Sequence, residues 1–245
     1  MLRIAIVGAS SAIAEQCARV WAARGARFFL VGRRQDVLQS IAVDLSVRGA
    51  ETVECDVADL SALDSLPATV KRAHSTLGVI DVVLIAQGTL TDEGRAAVDP
   101  EYLRAELNLN SIGPSLLMNE FAAILSRQGF GTLAVISSVA GDRGRAMNGT
   151  YGSAKAMVTA FASALRQRLS YDGVTVLTIK PGSVDTPMTS DRPKGLLWSS
   201  AERIARDIVT AIDEKKLVLY TPAYWRWVML VIRLIPESVF RSLKF

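Results

Sequence analysis

The sequence predicts a single α/β domain in which one doubly wound, parallel sheet of seven strands is covered by helices on both faces. Three observations support this prediction. Short apolar runs alternate along the chain with longer segments that show helical periodicity. These runs are continuously apolar, which is typical of parallel strands buried on both faces. The 245 residues, half of them hydrophobic, suffice for one large buried core and contain no linker, repeat or low-complexity segment.

The apolar runs define the expected strands, and the segments between them define the expected helices. Strands are predicted at Arg3–Val7, Arg27–Val31, Thr52–Cys55, Asp81–Ala86, Thr132–Ser138, Thr175–Lys180 and Leu217–Tyr220. Helices are predicted at Ala12–Arg24, Asp59–Ser75, Glu101–Arg127, Tyr151–Tyr171 and Ala201–Glu214, and a further helix follows Arg34. The connections left between these elements are short, as expected for one compact domain.

The first strand leads through a glycine-containing turn directly into the first helix. The turn begins at Gly8 and continues through Ser10, Ser11, Ala12 and Ile13. The amino terminus of a helix presents unpaired backbone N–H groups and the positive end of the helix dipole. The turn is therefore expected to bind the phosphates of a nucleotide.

The second strand ends beside two arginines. A carboxylate at this strand end would bind the adenosine ribose hydroxyls and select NAD, but the chain has Gly32 there, followed by Arg33 and Arg34. Two cations near a helix amino terminus oppose the helix dipole unless an anion offsets them. A ribose 2′-phosphate would supply that anion, so the sequence favours NADP(H). The alternative is that both arginines are solvated surface residues.

Ser138, Tyr151 and Lys155 carry the strongest chemical signal in the chain. Tyr151 follows Ser138 by thirteen residues and precedes Lys155 by four, or about one helical turn. A lysine ammonium beside a phenol lowers the pKa of the tyrosine, so that it can exchange a proton with a carbonyl or alcohol oxygen. Ser138 is predicted to end a strand, at the sheet edge where open α/β folds bind ligands.

The glycine-containing turn, the strand-end serine and the Tyr-x-x-x-Lys pair together resemble the short-chain dehydrogenase/reductase family. The resemblance covers residues 2 to about 215 and implies a Rossmann domain with a nicotinamide cofactor. It implies that Tyr151 is the general acid and base, and that Ser138 binds the oxygen that Tyr151 protonates. It also implies that Lys155 binds the ribose hydroxyls of the cofactor.

The resemblance assigns further residues to the site. The family has three glycines in the first turn, at the places of Gly8, Ala12 and Ala14, of which this chain keeps the first. Asn108 aligns with the asparagine that supports a water linked to the lysine, and Asn110 is the competing register. The remaining cofactor contacts implied by the family are Asp56, Val57, Ala86, Gly88, Pro181, Gly182, Val184 and Thr186.

Two segments depart from the strand–helix alternation. Residues 186–200 contain two prolines and a glycine and are predicted to form a mobile flap over the substrate. Residues 223–245 form a tail beyond a predicted domain of residues 1–222. The tail has basic residues on one helical face and apolar residues elsewhere, and Pro236 is expected to split it into two short helices. It either lies on a membrane surface or packs on the domain or a partner subunit.

The expected reaction is the reversible reduction of a ketone by NADPH. Within the family, the tail, the first turn and the flap are most similar to the branch of decaprenylphosphoryl-β-D-erythro-pentofuranosid-2-ulose reductase, which implies a hydrophobic or lipid-linked keto-sugar. One alternative is a soluble reductase of small or steroid-like ketones whose tail forms an oligomer interface. Another is a non-catalytic NADP-binding regulator.

Composition and charge set the remaining expectations. The formal charge of +4 is concentrated in the tail, which argues against a nucleic-acid surface. The cysteines and the single histidine show no ligand spacing, so no metal site is expected. The first apolar run is too short for a signal-peptide core, which predicts a cytoplasmic protein, peripheral on the membrane if the tail binds lipid. A homo-oligomer, dimer or tetramer, is also expected.

Overall fold

A computed structural model describes residues 1–191 and 193–243 of the chain. Seven strands form one parallel sheet in the order β3-β2-β1-β4-β5-β6-β9, and β7 and β8 form a separate parallel pair. The strands are β1 (Arg3–Val7), β2 (Arg27–Gly32), β3 (Thr52–Val57), β4 (Val82–Ile85), β5 (Gly131–Ile136), β6 (Val174–Pro181), β7 (Ser183–Asp185), β8 (Trp198–Ser200) and β9 (Val218–Thr221). The predicted sheet of seven parallel strands is confirmed.

Helices cover both faces of this sheet. They are α1 (Ala12–Ala22), α2 (Gln35–Val47), α3 (Leu66–Leu77), α4 (Glu93–Ala96), α5 (Pro100–Leu107), α6 (Gly113–Gln128), α7 (Gly149–Arg168), α8 (Ala201–Asp213), α9 (Trp225–Leu234) and α10 (Glu237–Phe240). One core layer lies between the sheet and α1, α2 and α8. The other lies between the sheet and α3, α6 and α7. The central strands are therefore buried on both faces, as their continuous apolar sequence requires.

The long helix predicted at Glu101–Arg127 is interrupted. α5 ends at Leu107, a π-helical turn spans Asn108–Ile112, and α6 begins at Gly113. Pro114 explains the interruption, because it lacks the backbone N–H that a regular helix would need at that position. A π-helical turn absorbs the missing hydrogen bond and re-aims the side chains of its own residues.

Several predicted boundaries are wrong by a few residues: the helix predicted from Asp59 begins at Leu66, for example, and two other shifts bear on the site. β5 ends at Ile136, so Ser138 lies beyond the strand and not at its end. Its extended backbone instead caps the 3₁₀ turn Val139–Asp142, with the side-chain oxygen accepting from the Ala140 N–H. α7 begins at Gly149, which places Tyr151 in the first helical turn. Both shifts come from capping contacts that hydrophobic periodicity does not encode.

The predicted flap at residues 186–200 contains regular structure. A 3₁₀ turn spans Pro187–Thr189, and β8 pairs with β7 in parallel register, with Val184 opposite Ser199. Strands of three residues are too short to show an alternating pattern in the sequence. The pair fixes both ends of the segment, just after β6 and just before α8.

The tail folds into two short helices separated at Ile235 and Pro236, as expected from the proline. Its apolar residues do not form the single face predicted. Trp225 and Met229 are buried with Val139 of the domain. Other apolar residues of α9 are exposed, namely Trp227, Leu230, Val231 and Leu234. Within the described part of the chain, no helix is both long and apolar enough to cross a bilayer.

Candidate active site

The carboxyl ends of the central strands open into a cleft of about 460 Å³. Segments that follow β1, β4, β5 and β6 all line it, as expected for a doubly wound sheet. The predicted site residues that line this cleft are Ser10, Ser11, Ala12, Ile13, Ala86, Gly88, Ser138, Tyr151, Lys155, Pro181, Gly182, Val184 and Thr186. Most of the predicted site residues therefore meet around one cavity.

Ser138 is held rigidly at the edge of the cleft. Its side chain is 9% exposed, and its oxygen accepts a hydrogen bond of 3.1 Å from the Ala140 N–H. That contact uses a lone pair and leaves the hydroxyl hydrogen to be donated to a ligand. The neighbouring Ser137 has a different partner set, because its hydroxyl contacts the Lys155 carbonyl at 2.9 Å and Thr159 at 2.7 Å. Ser137 also lines the cleft, but its hydroxyl is bonded to α7, whereas the hydroxyl hydrogen of Ser138 is available to a ligand.

Tyr151 is positioned by a carboxylate that is remote in sequence. The side chain of Glu93, in α4, accepts hydrogen bonds from the Thr150 N–H at 2.9 Å and the Tyr151 N–H at 3.1 Å. The first N–H groups of a helix have no partner inside the helix, and a negative charge is favourable at that end. Glu93 therefore fixes the first turn of α7, and with it the root of the Tyr151 side chain.

Lys155 lies one helical turn further along α7 and is almost fully buried. Its Nζ donates to the Ile136 carbonyl at 3.1 Å and lies 5.7 Å from the centre of the Tyr151 ring. Burial lowers the pKa of Lys155 from 10.5 to about 8, because the charged ammonium loses solvation. At neutral pH the side chain is still largely a cation, close enough to stabilise a phenolate.

Asn110, the competing register for Asn108, lies beside Gly88 and Lys155. The Asn108 carbonyl accepts from the Gly113 N–H within the π-helical turn, and neither Asn108 nor Asn110 lines the cleft. Asn110 is fully buried, and its Oδ1 accepts from the Thr89 N–H at 2.9 Å. A β-carbon on Gly88 would lie 2.9 Å from this Oδ1 and 3.2 Å from Lys155 Nζ. Asn110 and Lys155 thus flank the same glycine.

Glu106 anchors the strand-end loop that contains Gly88. Its buried carboxylate accepts from the Thr91 hydroxyl at 2.8 Å, the Thr89 hydroxyl at 3.0 Å and Asn110 Nδ2 at 3.1 Å. Gln87 stands in the same loop and donates to the Leu109 carbonyl at 3.2 Å. Polar contacts with α5 and the π-helical turn thus hold this loop.

The first turn fits the phosphates of a dinucleotide. Gly8 has a φ of +82°, and a β-carbon there would lie 2.6 Å from the Gln87 backbone nitrogen, so only glycine is compatible. No side chain caps the amino terminus of α1 at Ser11, which leaves its N–H groups for a ligand. Ala14 is fully buried in the core and Ala12 lines the cleft, so both methyl groups are accommodated.

Five predicted cofactor residues do not line this cleft: Gly8, Arg33, Arg34, Asp56 and Val57. Gly8 shapes the turn from behind. Arg33 and Arg34 are exposed between β2 and α2, where an adenosine ribose would extend from the first turn. The Asp56 carboxylate is held by Arg72, at 2.7 Å from Nη2 and 3.1 Å from Nε, and Val57 is half exposed at the end of β3.

Arg143 fastens the tail to the loop beyond Ser138. Its guanidinium donates to the carbonyls of Ile232 at 2.7 Å and Ile235 at 2.5 Å, and to the Glu237 carboxylate at 2.8 Å. The same group lies 3.8 Å from the centre of the Phe240 ring. At the other end of α9, Trp225 lines the cleft and packs directly against Gly182. The tail is therefore part of the wall of the site.

Sequence reasoning missed Glu93, Glu106 and Arg143, and it assigned Trp225 only to the tail. Each of the three charged residues acts on a partner far away or on a buried loop, so no local spacing reveals it. Trp225 could have been suspected because it is an aromatic residue directly after the last strand. Its contact with Gly182 depends on how α9 returns to the domain.

Known proteins match nearly the whole length of the chain. The family model for short chain dehydrogenases matches residues 3–196. An uncharacterised oxidoreductase of Mycobacterium tuberculosis is 35% identical over 243 residues, which cover 98% of this chain and 96% of the relative. An uncharacterised oxidoreductase of Streptomyces coelicolor is 34% identical over 244 residues, covering 97% and 94%.

Solved structures share the fold at low identity. The bulky-bulky ketone specific alcohol dehydrogenase from Comamonas testosteroni has a TM-score of 0.81 at 22% identity, covering 100% of this chain and 95% of that one. Levodione reductase has a TM-score of 0.81 at 21% identity, covering 89% and 95%. The chain thus belongs to the short-chain dehydrogenase/reductase family, oxidoreductases that use a nicotinamide nucleotide to interconvert CH–OH and C=O groups.

Proposed function

We propose that the protein is an NADPH-dependent reductase that converts a ketone to a secondary alcohol, and that also runs in reverse. The observation that carries this proposal is the convergence of Ser138, Tyr151 and Lys155 on one cleft. A rigid hydroxyl, a phenol and a buried ammonium are the groups needed to bind and protonate a carbonyl oxygen. The intact set argues against a non-catalytic regulator.

Each residue has a distinct role in this proposal. Tyr151 donates its phenolic proton to the carbonyl oxygen as negative charge develops there. Ser138 donates a hydrogen bond to the same oxygen, using the hydrogen that the Ala140 contact leaves available. Lys155 stabilises the phenolate and holds the ribose hydroxyls, and Asn110 replaces Asn108 as the asparagine beside it. The bound nicotinamide supplies the hydride to the carbonyl carbon.

The preference for NADPH rests on Arg33 and Arg34. Both are exposed at the carboxyl end of β2, and the residue before them is Gly32 and not an acid. Exposed guanidinium groups can bind a ribose 2′-phosphate through paired N–H donors. NADH carries a neutral 2′-hydroxyl at this position and therefore has no anion there to pair with the arginines. In the assay below, wild-type turnover with NADPH should therefore exceed turnover with NADH.

A substitution at the phenol tests the proposed function. Tyr151→Phe removes one hydroxyl and should lower the rate of NADPH oxidation, measured over a panel of ketones, by at least the ~10²–10⁴-fold typical of acid–base catalysis. Tyr171→Phe is the matched control, because the Tyr171 side chain is 98% exposed just beyond α7. The control should retain wild-type rates. Near-wild-type turnover in Tyr151→Phe would contradict the mechanism.

The proposed substrate is a hydrophobic ketone, with a lipid-linked keto-sugar as the specific candidate. Support comes from the tail, which forms part of the cleft wall through Trp225 and carries exposed apolar residues such as Trp227 on the same helix. A protein that takes its substrate from a lipid surface needs such a face close to its site. The rival, a soluble reductase of small ketones, would use the same face to form an oligomer.

A further inference from the structure

The cleft is electrostatically one-sided. Two cationic side chains line it, Lys155 and Arg145, and the lining residues that the structure describes include no aspartate or glutamate. A cleft lined by one sign of charge concentrates ligands of the opposite sign. Lys155 already has a role beside Tyr151. Arg145 has no role in the proposed reduction of the carbonyl group.

Arg145 lies on the loop between Ser138 and Tyr151, and its guanidinium has unmet bonding capacity. Its Nε is buried and has no hydrogen-bond partner among residues 1–191 and 193–243. Burial lowers the pKa of Arg145, an effect partly opposed by the charge of Asp142. That carboxylate is already held by Lys180 at 2.5 Å and the Tyr220 hydroxyl at 2.7 Å.

Arg143, two residues earlier, differs from Arg145 in the partners of its guanidinium. The Arg143 guanidinium donates hydrogen bonds to two carbonyls and a carboxylate of the tail. Arg145 shares the same loop yet faces the cleft without such partners. A second donor is in the same condition, because Trp225 Nε1 is also buried without a partner in the described chain and Trp225 lines the cleft. Buried donors without acceptors are costly unless a ligand supplies the acceptors.

We infer that Arg145 binds an anionic group of the substrate, a carboxylate or a phosphate, and thereby orients its ketone toward Tyr151. This inference rests on the proposed reductase function and adds the chemical class of its substrate. The planar guanidinium suits the oxygens of either anion. The cofactor phosphates have their own cradle at the first turn, so Arg145 remains for the substrate.

Matched ketone pairs test the inference. One pair is 4-acetylbenzoate and its methyl ester, and the other is dihydroxyacetone phosphate and dihydroxyacetone, so that the two arms separate carboxylate from phosphate. With NADPH, wild-type kcat/KM should favour the anionic member of at least one pair by about tenfold or more, the scale of a charge-assisted hydrogen bond. Arg145→Met should remove that preference, mainly through KM, without raising the KM for NADPH.

Two further variants test whether the Arg145 guanidinium itself causes the preference for anionic ketones. Arg145→Lys keeps the charge but not the planar donor pair, so it should retain part of the preference. Arg104→Met is the control, because Arg104 is an exposed residue of α5 paired with Glu101, far from the cleft lining. It changes net charge by the same amount and should leave the preference intact.

A binding measurement keeps the result independent of turnover. Isothermal titration of 4-acetylbenzoate and dihydroxyacetone phosphate into the NADP⁺-loaded protein should show affinity that Arg145→Met weakens by about tenfold. Binding of this kind without reduction of any ketone would support the anion site and contradict the reductase function. Three results would overturn the inference. The first is no preference for the anion in either assay, and the second is a preference that survives Arg145→Met. The third is an Arg145→Met variant in which only the affinity for NADPH falls.

Discussion

Burial of Lys155 makes the charge beside Tyr151 sensitive to pH in a range that most lysines do not reach. Lys155 is 3% exposed, and the lost solvation of its ammonium lowers its pKa from 10.5 to about 8. At pH 7 about nine in ten of these side chains are charged, and at pH 9 about one in ten. A neutral amine no longer favours the phenolate that forms when Tyr151 gives up its proton.

The rate of ketone reduction should therefore fall as the pH rises through about 8. The expected observation is a descending limb near pH 8 in kcat/KM, measured from pH 6 to 10 with saturating NADPH. In Lys155→Arg the guanidinium stays charged throughout this range, so the limb should disappear even if the overall rate is lower. A limb that persists unchanged in the variant would assign the titration to another group.

At the scale of elements, two long-range contacts tie four segments together around the site. Glu93 of α4 caps α7, and Arg143 ties the loop after β5 to the carboxyl end of α9. The last carbonyls of a helix have no partner within the helix, and a cation there is favourable. Arg143 supplies both a donor and a charge. The position of Trp225 in the cleft thus depends on a contact at the opposite end of its helix.

Arg143→Met should loosen the tail and lower the stability of the whole chain. The guanidinium is largely buried, and losing its hydrogen bonds should cost about 2 kcal/mol, or roughly 4–8 °C in Tm for a domain of this size. Differential scanning calorimetry measures this shift. Glu237→Gln is the control, because the Glu237 side chain is 81% exposed and its ion pair contributes little. An unchanged Tm in Arg143→Met would show that the tail is held by other contacts.

Local patterns predicted the elements of the fold better than the contacts between them. Apolar runs located all seven strands of the main sheet, because burial on both faces imposes a continuous signal. The spacing of Tyr151 and Lys155 predicted their shared helix face, because residues four apart lie about one helical turn apart. Glu93 lies 57 residues from Thr150, and Arg143 lies 89 from Ile232, so neither contact leaves a local pattern. The register of Asn108 and Asn110 depended on a π-helical turn that periodicity does not detect.

At the scale of the molecule, the tail has one face on the domain and one face outward. The outward face carries Trp227, Val231 and Leu234, which are 63%, 63% and 72% exposed and lie about one helical turn apart. Arg226 is also exposed and lies 5.9 Å from the centre of the Trp227 ring, and Arg233, exposed in the last turn of the helix, interacts with Tyr220. Apolar side chains flanked by cations are the pattern that favours an anionic lipid surface.

The outward face can be tested with vesicles. The wild-type protein should float with liposomes of equal parts phosphatidylglycerol and phosphatidylcholine. The triple variant Trp227→Ser, Val231→Ser, Leu234→Ser should lose at least tenfold in the bound fraction, since each side chain contributes about 1.5–3 kcal/mol when fully buried. Its Tm should stay close to wild type, because none of the three packs on the domain.

Light scattering on the same two proteins measures their oligomeric state and tests the rival hypothesis, a soluble reductase whose tail joins subunits. If the face joins subunits, the wild-type oligomer should dissociate in the triple variant while neither protein binds vesicles. That result would contradict membrane contact and favour the soluble reductase. Vesicle binding that the triple variant retains would place the lipid contact elsewhere in the chain.

The contact between Gly182 and Trp225 links two positions that are far apart in function. A β-carbon at position 182 would overlap the indole ring, so the strand end and the tail constrain each other's choice of amino acid. Homologues should therefore show covariation here. A relative with alanine at the position of Gly182 has to carry a smaller residue in place of Trp225, or to direct its last helix away from the cleft.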